Sequence, residues 1–172
     1  MLPPDNFRCH DEVTSLKLLM VHVYTDGSIM HNPGGVGGYA AVGLDDEKIL
    51  FEVYGSDFVT SNNRMELRAA IEACKQEVHR RMTIYSDSQY VVNGASRGLP
   101  KWVISGTLQK QTNADLWEEL YQVMRRRIPV TFQWVRGHDD NVWNDRADEL
   151  AGVAMRKTLE SGSLISVARI LG

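Results

Sequence analysis

The order of strand and helix patterns in this sequence restricts the fold more than any other feature. Three consecutive segments, 17–25, 38–44 and 48–55, are predicted to be β-strands, and the first alternates apolar and polar residues over 21–24. The second and third flank the acidic turn 45–47, so they predict an antiparallel hairpin. Strand patterns then alternate with helical ones, and such units need right-handed crossovers that lay their strands parallel to the first. The order predicts an α/β protein with a mixed sheet flanked by helices.

The boundaries of the later elements follow from the same patterns. Helical period and good helix formers predict helices at 63–81, 88–96 (stopping at Gly94), 112–127 and 142–157, with strands at 82–87 and 129–138. A Thr112–Asp115 capping box is predicted to open the third of these helices. We expect a flexible leader at 1–16, a connector at 97–111, a domain spanning 17–157 and a loose tail at 158–172.

Composition excludes several classes of protein. The net charge of −3 argues against a general electrostatic attraction to polyanions, although local basic patches remain compatible with it. No apolar run approaches the ~20 residues of a membrane span, and the first residues lack a secretory pattern. The glycines of segment 30–38 do not match a Walker motif. Cys9 and Cys74 have no metal-ligand spacing, and Cys74 lies in an apolar stretch, so we expect a cytoplasmic protein.

Acidic residues follow two of the predicted strands. Asp26 ends the first strand and Asp87 ends the fourth, so on neighbouring parallel strands they would meet at one sheet edge. Glu66 lies in the predicted first turn of a helix, and Asp148 lies midway along the last helix. Four converging carboxylates repel one another unless cations are present. Hard divalent cations such as Mg²⁺ or Mn²⁺ would relieve that repulsion.

Each acid also has an ordinary structural explanation. Asp26 precedes a glycine, and Asp-Gly is a common turn dipeptide. Glu66 follows Asn63 by three residues, as in a capping box, and Asp87 could be the N-cap of the helix that follows it. Asp148 could be a surface helix charge. Taken singly, each acid favours the structural explanation, and only their combination favours a site.

Four motifs occur in a specific order: YTDGS, TSNNRMELRAA, IYSDSQYVVNG and WVRGHDDNVWNDRADELA. In sequence and order they resemble ribonuclease H of type 1, and the resemblance covers roughly residues 17–157. It implies a five-stranded mixed sheet, with strands 1–3 antiparallel, strands 4–5 parallel, and helices on both faces. It also implies an endonuclease that hydrolyses the RNA strand of RNA–DNA hybrids and leaves 5′-phosphate and 3′-hydroxyl ends.

The resemblance places the metal ligands of the family on Asp26, Glu66, Asp87 and Asp148. Two Mg²⁺ ions are expected, and Mn²⁺ would substitute for them. Asp26 would bridge the two ions from a rigid strand end. Asp87 and Asp148 would each complete the ligands of one ion, and Glu66 would hold the ion on the leaving-group side. His138 falls on the family's loop histidine, which would move protons. Without that context His138 would be an ordinary exposed histidine.

The resemblance also implies substrate contacts. Asn32, Asn62, Asn63 and Gln89 match positions that touch the minor groove of the hybrid, where an amide both donates to and accepts from the 2′-hydroxyl. The Ser61 hydroxyl matches a pocket for a phosphate of the DNA strand. Many relatives carry an arginine two residues before it, where this sequence has Val59.

The connector departs most from the family. Many relatives carry a basic protrusion rich in lysine and tryptophan, whereas segment 97–111 keeps only Arg97, Lys101, Trp102 and Lys110. We expect Trp102 to pack rather than stack on substrate. Arginines 125–127 end a helix, where they suit the helix dipole, so they are not expected to replace the protrusion.

Two alternatives remain open from the sequence. A transposase, integrase or proofreading exonuclease would share clustered acids but not the NNRMEL and DSQYV motifs. A non-catalytic hybrid-binding module would have lost an acid, and none is missing. Cleavage of the RNA strand alone separates these classes. We expect the partner to be an RNA–DNA hybrid, the chain to be a monomer, and no membrane to be involved.

Overall fold

Six β-strands form within the part of the chain that the structure, a computed structural model, describes: residues 20–76, 78, 80–126, 129–137 and 141–171. The strands are β1 (Met20–Ile29), β2 (Gly37–Asp45), β3 (Lys48–Asp57), β4 (Arg81–Ser86), β5 (Val130–Trp134) and β6 (Ser166–Ile170). They form one sheet in the order β5–β4–β1–β2–β3–β6.

The pairing of the strands confirms the predicted mixed sheet. Strand β2 pairs antiparallel with both β1 and β3, whereas β4 pairs parallel with β1 and β5 pairs parallel with β4. The sixth strand was not predicted: β6 pairs antiparallel with β3, where Ser166 lies opposite Gly55 and Ile170 opposite Phe51. Val167 is half-buried against the core, so the prediction of a loose tail is wrong for this strand.

Five α-helices connect or cover these strands in the described residues. They are α1 (Asn62–Lys75), α2 (Gln89–Asn93), α3 (Leu99–Ile104), α4 (Ala114–Met124) and α5 (Val142–Ser161). Helix α1 ends earlier than the predicted 81. Helix α5 begins at the predicted residue and runs four residues beyond 157, until Gly162 ends it in the left-handed conformation at φ 65°.

The core lies on both faces of the sheet. Val21 and Val23 of β1 are fully buried in a cluster that includes apolar residues of α1 and α4. On the other face, Val42 of β2 packs with Ala147 and Ala151 of α5. The alternation of β1 therefore places its apolar residues toward α1 and α4, as its period of two predicts. Helices cover both faces, as expected.

The segment predicted to be a connector is largely helical. Helix α2 ends at Asn93 with Gly94 as its C-cap, as predicted, but the chain does not leave the helical conformation there: the φ and ψ of Gly94 are −61° and −51°, and a π-helical turn, Gly94–Gly98, leads into α3. A Cβ on Gly94 would lie 2.2 Å from the Trp117 ring, so this glycine also permits close packing. Trp102 packs edge-on against Trp117, with ring centroids 5.4 Å apart, which confirms its packing role.

Helix α4 begins without the predicted capping box. Its N-cap is Asn113, at φ 60°, and no side chain caps the helix there. The Asp115 carboxylate instead accepts two hydrogen bonds from the Arg64 guanidinium, at 2.9 and 2.6 Å, and Asn113 also accepts one from Arg64. Asp115 is therefore paired with Arg64 of α1 instead of forming the predicted capping box at the start of α4.

Some expectations concern residues outside those described: the leader 1–16, Cys9, Arg127 and His138. Cys74 is buried in the core, as its apolar neighbours predicted. Among the described residues, no helix combines the length and apolar character that crossing a bilayer requires.

Candidate active site

The parallel pairing of β1 with β4 brings two aspartates to one edge of the sheet. Asp26 lies within β1, which continues to Ile29 rather than ending at Asp26 as predicted, and Asp87 directly follows the last residue of β4. Thr25 of β1 pairs with Ser86 of β4 in the parallel register, and each residue directly precedes an aspartate. Asp26 is 7% exposed, and its carboxylate accepts a hydrogen bond of 2.7 Å from the Gly27 backbone N–H. The predicted meeting of Asp26 and Asp87 at the sheet edge is confirmed.

Helix α1 supplies the third acid, Glu66. The helix begins after Ser61, whose side chain accepts the capping hydrogen bond from the Arg64 N–H. Glu66 is therefore the fifth helical residue. It lies in the second turn rather than the predicted first, and the capping-box explanation for it is wrong. It is 4% exposed, and its Oε2 has no hydrogen-bond partner among the described residues.

The three carboxylates form a compact cluster. Asp26, Glu66 and Asp87 each offer an oxygen, and these oxygens all lie within 4.8 Å of one another. Asp87 does not serve as the N-cap of α2, because the Ser88 side chain accepts the capping bond from the Val91 N–H. The local explanations for Glu66 and Asp87 therefore fail, and the cluster requires another reason.

Gly27 allows β1 and α1 to approach closely enough to build this cluster. A Cβ at position 27 would lie 2.5 Å from the Glu66 backbone nitrogen and 2.8 Å from the Met65 carbonyl carbon. Both obstacles are backbone atoms, which cannot rotate away as a side chain can. The glycine after Asp26 is thus a packing requirement of the cluster rather than only a turn residue.

Gly137 has the same role on the other side of the cluster. A Cβ there would lie 2.4 Å from the Asp87 Oδ2, so the segment after β5 passes directly against this carboxylate. At the end of β5, the Trp134 indole N–H donates a hydrogen bond of 3.0 Å to the Asp87 backbone carbonyl. Two contacts from the β5 side thus position Asp87.

Burial and mutual repulsion perturb the acids strongly. Burial, with the charges of Asp87 and Asp148 adding to it, raises the pKa of Asp26 to about 7. Burial also raises the pKa of Glu66 well above its usual range, and the Asp26 charge adds to that effect. Near neutral pH the metal-free cluster therefore holds protons that isolated carboxyl groups would have released.

The stability of the metal-free protein should consequently fall as the pH rises from about 4 to about 7. In the unfolded chain Asp26 ionises near its ordinary pKa of 3.8, whereas in the folded chain it keeps its proton up to about pH 7. The folded state binds more protons in this range, so the unfolding free energy decreases, by roughly 2–4 kcal/mol for this shift. Urea unfolding of wild type and Asp26→Asn across this pH range measures the decrease. Unfolding free energies that change with pH by the same amount in the two proteins would contradict the expectation.

The cluster fits a divalent cation. Its donors are all carboxylate oxygens, which Mg²⁺ and Mn²⁺ prefer, and one of them, the Glu66 Oε2, is buried without a hydrogen-bond partner among the described residues. Positive charge would also relieve the repulsion that raises the pKa values of Asp26 and Glu66. Asp26, Glu66 and Asp87 are the residues that would hold it.

Asp148 lies near this cluster but not within it. It is exposed on α5, and its charge acts on Asp26, as the raised pKa of Asp26 records. One turn before it on α5, Asn144 is 2% exposed, and its Oδ1 has no hydrogen-bond partner among the described residues. Sequence reasoning did not select Asn144 as a site residue, although a buried amide on the apolar side of a helix was the available signal.

The residues expected to contact substrate divide into two groups. Asn32, Ser61, Asn62 and Asn63 gather where the β1–β2 loop meets the start of α1, and the Asn62 N–H donates to the Asn32 Oδ1 at 3.2 Å. Gln89 lies apart from them, exposed at the start of α2 and two residues after Asp87. The two groups lie on the two sides of the carboxylate cluster.

Besides Asn144, sequence reasoning missed three site residues: Gly27, Gly137 and Trp134. The two glycines stand beside Asp26 and at the predicted loop after β5, but a close approach of backbone cannot be recognised from one sequence. Trp134 ends an alternating strand, where the pattern alone predicts only a sheet residue. No signal in the sequence assigned it to the site.

Comparisons with known proteins agree with this geometry. The RNase H family model matches residues 19–156. Ribonuclease H of Orientia tsutsugamushi (strain Boryong) is 43% identical over 138 residues, covering 76% of this chain and 79% of that protein. Ribonuclease H of Francisella tularensis subsp. novicida (strain U112) is 42% identical over 145 residues, covering 81% and 93%.

Solved structures give the same result. The crystal structure of LC9-RNase H1, titled a type 1 RNase H with the type 2 active-site motif, superposes with a TM-score of 0.71 at 31% identity. The match covers 86% of this chain and 77% of that one. The predicted resemblance is thereby confirmed over most of the chain, by sequence and by structure. The chain therefore belongs to the ribonuclease H family.

Proposed function

We propose that this chain is an endonuclease that hydrolyses the RNA strand of RNA–DNA hybrids with two divalent cations. The observation that carries the proposal is the cluster of Asp26, Glu66 and Asp87, which is built only from carboxylates and in which burial raises the pKa values of Asp26 and Glu66. Asp148, whose charge reaches Asp26, is proposed as the fourth acid. Family membership supports the hybrid as substrate.

The cations would be Mg²⁺, with Mn²⁺ able to substitute, and they would activate the attacking water and stabilise the leaving oxygen. Asp26 suits a central position because it lies within β1, where pairing with β2 fixes its backbone and the Gly27 N–H donates to its carboxylate. The unpartnered oxygen of Glu66 is available to accept a hydrogen bond from a 2′-hydroxyl. The expected products carry a 5′-phosphate and a 3′-hydroxyl.

Discrimination of RNA from DNA is proposed to rest on amide side chains. The group at the start of α1 contains Asn62, half-buried, and Asn63, exposed, one turn from Glu66. Amides can both donate to and accept from a 2′-hydroxyl, which deoxyribose lacks. Gln89 would do the same beyond Asp87. Ser61, at the start of α1, is proposed to contact a phosphate of the DNA strand.

Charged contacts with the phosphates of the hybrid are proposed to be few. Val59 is 77% exposed where relatives carry an arginine, and the nearby Arg64 is already paired with Asp115. Segment 97–111 presents three exposed cations, Arg97, Lys101 and Lys110. Affinity should therefore be weaker, and should depend less steeply on ionic strength, than that of a relative with the full basic protrusion.

A shallow salt dependence is the expected result. With about −0.9 per phosphate contact for B-DNA and a similar sense for a hybrid, three cations predict a slope of log KM against log salt of about 3 or less. KM measured across salt concentrations checks this for wild type, a deletion of residues 1–16 and Arg126→Ala. A steep wild-type slope that flattens in either variant would show that the leader or the helix end supplies the missing contacts.

His138→Ala should slow the reaction without abolishing it. The residue lies outside those described, and the family resemblance alone supports its role in moving protons. Proton transfer by a positioned side chain contributes ~10²–10⁴-fold, and the carboxylate cluster remains intact without it. Turnover at saturating hybrid measures the effect, with His10→Ala in the leader as a matched control. Equal turnover of both variants and wild type would remove His138 from the mechanism.

A panel of duplexes tests the proposal as a whole. RNA–DNA, RNA–RNA and DNA–DNA duplexes of one sequence are incubated with the protein and Mg²⁺, and the ends of the products are analysed. The expected result is cleavage of the hybrid alone, with phosphate on the 5′ ends and hydroxyl on the 3′ ends. Cleavage of the DNA duplex would favour the transposase or exonuclease classes, and no cleavage would favour a binding module. Monomeric state and cytoplasmic location stay predictions.

A further inference from the structure

Glu52 of β3 is a buried carboxylate that lies outside the cluster of Asp26, Glu66 and Asp87. It is 3% exposed, and its Oε1 accepts a hydrogen bond of 2.9 Å from the Arg146 Nε of α5. Burying a carboxylate costs free energy, and a buried ion pair is often no more stabilising than apolar side chains of the same volume. Stability alone therefore gives little reason for this pair, whereas fixing one arrangement of α5 on the sheet would give one.

The contact between α5 and β2 is made largely by small residues. Ala147, Ala151 and Ala154 are fully buried on this face of the sheet. A Cβ on Gly38 of β2 would overlap the Ala151 carbonyl oxygen, so the helix and the strand approach closely. Helices are oriented by ridges of side chains that fit into grooves, and small residues form only shallow ridges. A directional contact at the side of α5 would therefore help to define its rotation.

Arg146 and Asp148 lie on opposite sides of α5. At 3.6 residues per turn, side chains two residues apart project about 200° apart. On one side Arg146 reaches β3, and on the other Asp148 is exposed and its charge acts on Asp26 of β1. The sheet order agrees, because β1 and β3 flank β2. Rotation of α5 about its axis would thus separate Arg146 from Glu52 and displace Asp148 relative to Asp26.

We propose that Glu52 is a positioning residue for the metal site: by holding Arg146 it fixes the rotation of α5, and with it the distance of Asp148 from the carboxylate cluster. This inference rests on the proposed function, in which Asp148 is the fourth acid. Residues that orient metal ligands typically change metal affinity by about 10–100-fold. Because Glu52 acts through a helix and contacts no ligand, the lower end of that range is expected.

Calorimetric titration of the hybrid-free protein with Mn²⁺ measures the effect. Glu52→Ala should weaken Mn²⁺ binding by about 10-fold. Glu52→Gln keeps an oxygen that can accept from the Arg146 Nε, so it should recover most of the affinity. The double variant Glu52→Ala/Arg146→Ala guards against a loss of folding, because it leaves no unpaired buried charge, and it should show the same loss as Glu52→Ala.

A comparison in the Asp148→Asn background separates positioning from a general disturbance of the site. When Asp148 has lost its charge, Glu52 has no ligand to position. Glu52→Ala should then weaken Mn²⁺ binding no further than Asp148→Asn alone does. An equal additional loss with and without the Asp148 carboxylate would overturn the inference.

Ser56→Ala is the matched control, since Ser56 also joins β3 to α5. Its Oγ accepts hydrogen bonds from the Thr158 hydroxyl at 2.6 Å and from the Ile165 N–H at 2.8 Å, almost three turns beyond Asp148. The variant should lower the melting temperature and leave Mn²⁺ affinity unchanged.

Two further results would overturn the inference while cleavage of the hybrid by wild type upheld the proposed function. One is unchanged Mn²⁺ binding in Glu52→Ala, and the other is an equal loss of Mn²⁺ affinity in Ser56→Ala and Glu52→Ala. A wild type that binds no Mn²⁺ and cuts no hybrid would instead refute the proposed function.

Discussion

Asp26→Asn is expected to abolish cleavage while leaving the protein folded. The carboxylate lies at the centre of the cluster, and its replacement by an amide removes a charge that the cations need. We expect the rate to fall by more than about 10³-fold, which corresponds to roughly 4 kcal/mol of transition-state stabilisation. The amide is nearly isosteric, so the packing around β1 should not change.

The metal-free stability of this variant should hold or rise. Neutralising one acid relieves the repulsion and desolvation that raise the pKa of Asp26 to about 7. The control is Asp46→Asn, in the β2–β3 turn at φ 51°, a conformation that asparagine also accepts. Single-turnover rates and melting temperatures of both variants make the comparison. A rate for Asp26→Asn above a small fraction of wild type would show that its central role is wrong.

Gly27→Ala should damage both the fold and the activity. The new methyl group would meet the backbone of Met65 and Glu66 at 2.5–2.8 Å, so β1 and α1 would have to separate. Overpacking of this kind costs about 1–3 kcal/mol, occasionally more, and rigid backbone on both sides places this case at the upper end. Since the same contact positions Glu66 against Asp26, the metal site should widen and the cleavage rate should fall.

Gly152→Ala provides the matched control for that substitution. Its Cβ would meet only the far end of the Arg156 side chain, which can move, and alanine favours the interior of a helix such as α5. This variant should be neutral or slightly stabilised. Urea unfolding and hybrid cleavage of both variants test the difference. Equal stability of Gly27→Ala and wild type would show that α1 is free to shift and that Gly27 does not fix the cluster.

The positions of the acids could be predicted because local patterns determine them. Alternation in β1 and β4 predicted Asp26 and Asp87 at strand ends. Although β1 continues to Ile29, the parallel register, which ends at Thr25 and Ser86, brings the two aspartates together. The resemblance added Glu66, which periodicity alone could not have assigned to this edge. Composition and periodicity thus predicted the sheet, whereas the motifs predicted which residues carry the chemistry.

Where prediction failed, a contact distant in sequence had replaced the local preference. The expected capping box at Asp115 is absent because Arg64, 51 residues earlier, binds that carboxylate. Gly94 follows the last residue of α2, as expected, but the chain stays helical through it, because its missing side chain makes room for the Trp117 ring. Strand β6 exists because the edge of β3 is available to pair with it. None of these partners can be identified from the local sequence.

A hybrid with differently labelled RNA and DNA strands tests the central claim most directly. The wild-type protein is incubated with it in Mg²⁺ and, separately, with a chelator, and Asp26→Asn is incubated in Mg²⁺. The account predicts that only the RNA strand is shortened, and only by wild type in Mg²⁺. Shortening of the DNA strand, or cleavage of RNA in the chelator or by Asp26→Asn at more than a small fraction of the wild-type rate, would contradict it.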